Sequence, residues 1–201
     1  MEIKTENVDK KEKKNIILFA AGGHAISVYE ILNELNFSVI AYIEKEKKKW
    51  LQNISFLSED RMIEKYNNFQ IAIGLGGTYP NQLKDRLKKI LAIESTNNKF
   101  ATLIHPKSIV AKDALIEEGV VIMPGAIIRS KVKIEKYSII NTGSIIEHNA
   151  LIKKGSHVAP GAVVLGAASC GECSMIGSKS VILQNKVLTD GSFVKAGEVY
   201  K

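Results

Sequence analysis

Residues 134–166 read IEKYSIINTGSIIEHNALIKKGSHVAPGAVVLG, and within them Ile134, Ile140, Ile146, Ile152, Val158 and Val164 recur at every sixth position. The spacing continues in both directions: back through Ile128, Ile122 and Ile116 to Val110, and forward through Cys170, Ile176, Ile182, Leu188 and Val194 to Tyr200. An α-helix repeats every 3.6 residues and a strand every two, so neither sustains such a period. The pattern predicts a parallel β-helix built from hexapeptides. Two further rules share the register. The position two before each aliphatic residue is mostly small (Ala126, Ser138, Ser144, Ala150, Ser156, Ala162), which fits an inner corner. Glycine recurs three after it, at Gly119, Gly125, Gly143, Gly155, Gly161, Gly191 and Gly197, where a turn can use its freedom at positive φ.

The period also serves as a ruler. Residues 109–200 hold about fifteen hexads, and at three per coil they make roughly five coils. Residues about 18 apart then stack, which puts His148 between Ser130 and Gly166. With no side chain, Gly166 leaves a slot beside the imidazole and offers its backbone N–H. His157 lies half a coil from His148 and is expected on another side of the prism. Cys170 and Cys173 form a CxxC, yet the register turns Cys170 inward and sets Cys173 on a turn. They point apart, so a structural role is expected rather than zinc or redox chemistry.

Ahead of the hexads the pattern changes. Residues 1–14 alternate charges and read as a flexible tail. Asn15–Ala20 and Phe37–Ile43 read as buried strands around a helix at Ala25–Leu35. A short helix is expected near Ser58–Tyr66, strands at Phe69–Ile73 and Ala101–Ile104, and a basic amphipathic helix at Asn81–Ile93. Strands alternating with helices predict an α/β, Rossmann-like domain with a small parallel sheet. The organisation is therefore a tail at 1–14, an α/β domain at 15–104 and a β-helix at 105–201. His105, before Pro106 at the junction, reads as structural.

Composition narrows the function. The chain has 201 residues, 45% hydrophobic and 24% charged, ordinary values for a globular protein. No apolar run approaches the ~20 residues that span a bilayer, and the charged start lacks a signal-peptide core, so a cytoplasmic protein without membrane association is expected. The formal charge of +7 comes from scattered lysines with few aromatic residues between them, which suits an anionic small ligand better than nucleic acid. The four histidines are His24, His105, His148 and His157, and only His148 and His157 fall within the hexads, too few for a three-histidine metal site.

With AAGGH at 20–24 and the 134–166 string, the chain resembles the bacterial two-domain hexapeptide acyltransferases that acetylate sugars. That family includes UDP-4-amino-sugar N-acetyltransferases and sialic-acid O-acetyltransferases. The resemblance covers residues 15 to about 198 and rests most on Asn141, His148, His157 and Gly166. It implies a Rossmann-like nucleotide-sugar-binding domain followed by a left-handed β-helix, acetyl-CoA as co-substrate, no metal, and a place in surface-glycan synthesis. It makes His148 the general base that frees the attacking amine or hydroxyl, a role an imidazole fills near neutral pH. His157 is implied to contact the acetyl group, with Gly166, Ser178 and Ala196 as further cofactor positions; Lys179, Lys186 and Lys195 on the late coils read first as a solvated face, with the 3′-phosphate of the cofactor as the alternative. Gly22, Gly23, His24, Glu44 and Gly74 are implied to hold the nucleotide sugar. Asn141, Glu147 and Asn149 stand in support of the base. The chain departs from the pattern in three places: Asn149 replaces the common acidic residue after the base, Ala20 replaces the first loop glycine, and Glu44-Lys45 replaces an acidic pair.

Since His148 and His157 are separated across one prism, an active site between subunits of a homotrimer is expected, with His148 of one chain facing His157 of the next. Direct transfer to a nucleotide-linked amino sugar is the leading expectation, since neither cysteine lies in the site string. An O-acetyltransferase of a sialic-acid-like sugar shares nearly all these residues, and a non-catalytic β-helix scaffold is a rival of a different class.

Overall fold

The computed structural model describes residues 13–58, 69–94 and 98–201. The expected tail and the helix near Ser58–Tyr66 fall almost wholly outside them. The first half is a parallel sheet of β1 (Lys14–Phe19), β2 (Phe37–Ile43), β3 (Ser55–Leu57), β4 (Gln70–Ile73) and β5 (Lys99–Phe100), in the order β3-β2-β1-β4-β5. Helix α1 (Gly23–Glu34) follows β1, and helix α2 (Pro80–Glu94) precedes β5. Alternation along β1 explains the layering. Ile16 and Leu18 share a core with Ala25, Val28, Ile31 and Leu32 of α1, while Ile17 and Phe19 share one with Leu83, Leu87 and Ile90 of α2. β3 escaped the sequence reading because its three residues are too few to show a period.

The second half is the left-handed parallel β-helix. Its two-residue strands stack into three faces whose partners lie 18 residues apart, for example Ile127↔Ile145↔Val163. The inward row is one continuous core in which Ile122, Ile134, Ile140, Ile146, Ile152, Val158, Val164, Cys170, Ile176 and Ile182 are sealed from solvent. Burying each such side chain contributes on the order of 1.5–3 kcal/mol. The small residues Ser138, Ser144, Ser156, Ser174 and Ser180 are equally inaccessible, as an inner corner requires. Every corner from Gly119 to Gly197 carries a residue at positive φ, including Lys131, Tyr137, Asn149, Ala167, Cys173, Lys179 and Asn185. At Gly119 the need is double: φ is +69°, and a Cβ would stand 2.5 Å from the Tyr137 ring.

One element is corrected. Ala101–Ile104 was expected as a single strand of the flat sheet, but β5 stops at Phe100 and Leu103–Ile104 pairs with Val121–Ile122 in the β-helix. Ala101 N–H still donates to Ile71 in β4, and Leu103 N–H already donates to Val120. The reason is register: Leu103 lies 18 before Val121, so the coil series reaches further back than Val110.

The three faces differ outside. The first presents Leu103, Val121, Ile139, His157, Met175 and Phe193, stacked in register, and the α/β domain covers most of it. Met175, Ala159, Cys173 and Tyr137 lie in the α2-side core, and Leu103, Val121 and Met123 in the α1-side core. The second presents Ile109, Ile127, Ile145, Val163, Val181 and Val199, an unbroken β-branched row over which no second layer lies among the described residues. The third carries Leu115, Lys133, Leu151 and Ser169, with Lys133 paired to Glu117 and Glu135 at 3.2 Å.

Candidate active site

Two groups of the expected site residues emerge, in different places. The first lines a cleft of about 510 Å³ at the carboxyl ends of β1, β2 and β4. This is the switch point of the sheet, where β2 lies on one side of β1 and β4 on the other. Gly22, Gly23, His24, Glu44 and Gly74 all line it, joined by Ala20, Gly76, Gly77, Thr78, Gln82 and Lys89. Gly22 caps α1, and neither Gly22 nor Gly23 has any atom within 4 Å of where a Cβ would stand. The helix N-terminus therefore meets the cleft with bare backbone, which favours an anion. Gly74 serves packing instead: a Cβ would fall 2.6 Å from the Ala20 carbonyl and 2.7 Å from the Ala25 methyl.

The departures in this loop have local answers. Ala20 sits at φ +70°, the left-handed conformation that a glycine would enter without strain. Glu44 braces the loop, accepting from Ala21 N–H at 3.1 Å and Lys45 N–H at 2.9 Å. Burial by itself would raise the Glu44 carboxyl; those two N–H groups, with Lys48 and Lys89 nearby, outweigh it and hold the group below the usual range. His24 is driven down to about 3, chiefly by burial and then by Arg86 and His157, so it is a neutral imidazole. Among the described residues its Nε2 is shielded from solvent and has no hydrogen-bond partner.

The second group surrounds His148, which occupies an exposed corner between the second and third faces. Residues 147–150 form a tight turn closed by Ala150 N–H to Glu147 O at 3.2 Å, with Asn149 at φ +60°. Glycine or asparagine suits that third position, so Asn149 fits the backbone as well as the site. Its amide lies 3.0 Å from His148 Nδ1, and the Glu147 carboxylate reaches back to His148 N–H at 3.4 Å. The stacking of His148 on Gly166 is as expected, with one correction. The slot beside Gly166 holds the imidazole itself: a Cβ there would stand 2.7 Å from Cε1 and 2.8 Å from Nε2.

His157 lies across the prism from His148, as the register predicts, and is only 6% exposed, on the first face under the α/β domain. Its Nδ1–H donates to Gly77 O at 2.7 Å, and its Nε2 accepts from the Asn141 amide at 3.0 Å. Burial pushes it down to about 4, with Arg86 adding to the fall. Asn141 is thus tied to His157 and not to His148. Ser178 and Ala196 stack at the corner between the first and second faces, so the bare second face separates them from His148. Cys170 is sealed in the core and pushed up to about 12; Cys173 lies under α2 and rises to about 11. Neither is a nucleophile. Arg86 escaped the sequence reading. An arginine on the apolar stripe of α2, between Leu83, Leu87 and Ile90, was the available signal.

The fold is an α/β domain with a cleft at the switch point of its sheet, followed by a β-helix. Residues 15–89 match the PglD N-terminal domain family, and residues 113–148 match the bacterial transferase hexapeptide (six repeats). The chain carries both domains. It is 32% identical over 118 residues to the UDP-N-acetylbacillosamine N-acetyltransferase of Bacillus subtilis (strain 168), a stretch covering 55% of this chain and 51% of that protein. The match thus spans about half of that relative's length. Among solved structures, the acetyltransferase domain of PglB from Neisseria gonorrhoeae FA1090 superposes with a TM-score of 0.83 at 23% identity, covering 94% of this chain and 92% of that one. PerB from Caulobacter crescentus, solved with CoA and GDP-perosamine, superposes with a TM-score of 0.83 at 21% identity, covering 93% and 88%. Both likenesses extend over both domains and establish the fold.

Proposed function

We propose that this protein transfers an acetyl group from acetyl-CoA to the amine of a nucleotide-linked amino sugar, in the cytoplasm, for surface-glycan synthesis. The observation that carries the reading is the seating of His148: an exposed imidazole resting on Gly166, its Nδ1 held by Asn149. When the Asn149 amide turns its oxygen to Nδ1–H, the lone pair stands on Nε2. That nitrogen takes the proton as the amine attacks the thioester carbonyl. The C–S bond then breaks, and the imidazolium returns the proton to the departing thiolate. The cleft at the α1 N-terminus is the counterpart for the nucleotide diphosphate. The names of the relatives, one a UDP-sugar N-acetyltransferase and one solved with CoA and a GDP-sugar, point the same way.

The active site in this reading is shared between copies of a homotrimer. The cleft opens on the side of the first face, whereas His148 sits at the corner opposite that face of a triangular prism. One chain therefore holds its sugar cleft and its base apart. The second face, a row of six aliphatic side chains about 24 Å long at ~4.8 Å per coil, lies between the His148 corner and the Ser178–Ala196 corner. Packing a neighbour against it brings one chain's base beside the other's cofactor corner. His157 has no part in that junction.

Thiol release from acetyl-CoA, measured across a panel of UDP- and GDP-linked amino sugars, tests the activity. His148→Ala should lower kcat by about 100- to 10,000-fold. Gly166→Ala should fold normally, since φ there is not left-handed, yet displace the ring and cost roughly 100-fold in kcat. No thiol release with any member of the panel overturns the reading in favour of a scaffold.

A further inference from the structure

The loop Gly74–Thr78 forms one wall of the sugar cleft, and two of its carbonyls are held from outside the loop. Leu75 O accepts from Arg86 Nε at 2.7 Å, and Gly77 O accepts from His157 Nδ1–H at 2.7 Å. Both donors are anchored in turn on the β-helix. Arg86 Nη1 donates to the Tyr137 carbonyl, and His157 lies on the first face with Asn141 donating to its Nε2.

Arg86 is a strange choice for packing alone. It is 1% exposed on the apolar stripe of α2, and among the described residues no carboxylate pairs with it. A buried guanidinium without a counter-ion is destabilising, and an aliphatic residue would fill the same space. What the guanidinium adds is reach: one planar fork joins a carbonyl of the cleft loop to a carbonyl of a β-helix corner. His157 repeats the arrangement one coil further on, with both ring nitrogens engaged.

We infer that Arg86 and His157 are positioning residues that pin the Gly74–Thr78 wall of the cleft to the β-helix, setting the fit for the sugar nucleotide. This rests on the reading of the cleft given above. It gives His157 a substrate-side role exerted through Gly77. His24 lies against the same wall, where a Cβ on Gly76 would stand 2.9 Å from its own Cβ, so a shift of the loop moves the cleft's imidazole too.

Paired substitutions at His157 separate the two nitrogens. In His157→Asn the side-chain amide overlays Nδ1–H and keeps the donor to Gly77 O; in His157→Gln it overlays Nε2 and loses that donor. Two measurements on the full-length protein are decisive. Amide hydrogen exchange in the ligand-free state follows Thr78 N–H, which donates to Gln82 Oε1 at 2.9 Å and is protected only while the loop is held. Steady-state kinetics gives KM for the nucleotide sugar and for acetyl-CoA separately.

His157→Gln should speed Thr78 exchange by about tenfold and raise the sugar-nucleotide KM by a similar factor, with the acetyl-CoA KM unchanged. His157→Asn should restore both. Arg86→Lys, which keeps the charge but cannot span two carbonyls, should speed exchange as His157→Gln does. Thermal melts of each variant report folding. Unchanged exchange in His157→Gln overturns the inference, as does a raised acetyl-CoA KM with the sugar-nucleotide KM intact. Should the wild type turn over no nucleotide sugar, the functional reading falls, and the exchange measurement decides the clamp independently.

Discussion

The first and second faces of the β-helix share backbone, register and inward core, and both turn apolar side chains outward. Yet Val121 and Ile139 on the first are inaccessible to solvent, while Ile109 and Val199 on the second are 62% and 47% exposed. The difference is what lies on top. Strand alternation sets which residues point out, and only the packing of a second layer decides whether an outward row is core or surface. A bare aliphatic row beside the only exposed histidine among the described residues is the surface on which the proposed trimer depends.

A charge placed on each face gives the largest contrast. Met175→Asp, on the covered face, buries an unpaired carboxylate and should cost about 3–5 kcal/mol in urea unfolding. Val163→Asp, on the bare face, should leave monomer stability within about 0.5 kcal/mol, yet abolish self-association in sedimentation velocity and the activity with it. Equal destabilisation by the two would erase the distinction.

The junction of the covered face with the α/β domain also carries an acid sensitivity that the bare face lacks. His24 and His157 fall to about 3 and about 4 in the folded chain, below the ordinary histidine value of 6.5. The unfolded state therefore binds more protons between those values. Stability is fully present above 6.5 and is lost as pH falls toward the folded values. Lowering pH from 7.5 to 5.5 should remove roughly 3 kcal/mol, and a His24→Gln/His157→Asn double variant should flatten that slope in chemical denaturation.

Smaller effects belong to the corners that edge the bare face. Asn149→Ala removes the partner of His148 Nδ1 and should lower kcat about tenfold with little change in either KM. The left-handed positions at this corner are Lys131, Asn149, Ala167 and Asn185, whereas Gly125, Gly143, Gly161 and Gly197 fill most of them at the opposite edge. Lys131→Gly should relieve about 1 kcal/mol of backbone strain and raise Tm by about 2–4 °C without touching activity.

Much of this was legible because a coil leaves its signature in every hexad. The period of Ile134, Ile140 and Ile146, the small residues two before them and the glycines three after each report one local geometry, repeated. The same ruler stacked His148 on Gly166 and turned Cys170 inward. It could not report β3, too short to show a period, nor the division of Ala101–Ile104 between two sheets, because Leu103 and Ile104 suit either. The loop glycines and His24 were legible as a cleft because they follow a buried strand directly. Arg86 was not, since a lone arginine in a basic amphipathic helix looks like one more solvated charge.

By itself the sequence determined what depends on neighbours along the chain or on a fixed repeat: the coils, their register, the helix start at the glycine loop and the glycine on which His148 rests. Only the tertiary structure decided what depends on which surfaces meet. It buried His157 under the α/β domain with both nitrogens engaged, set Arg86 between two carbonyls far apart in sequence, and left the second face bare. A repeat gives each face the same kind of outward residue, so which one is covered follows from the packing between domains.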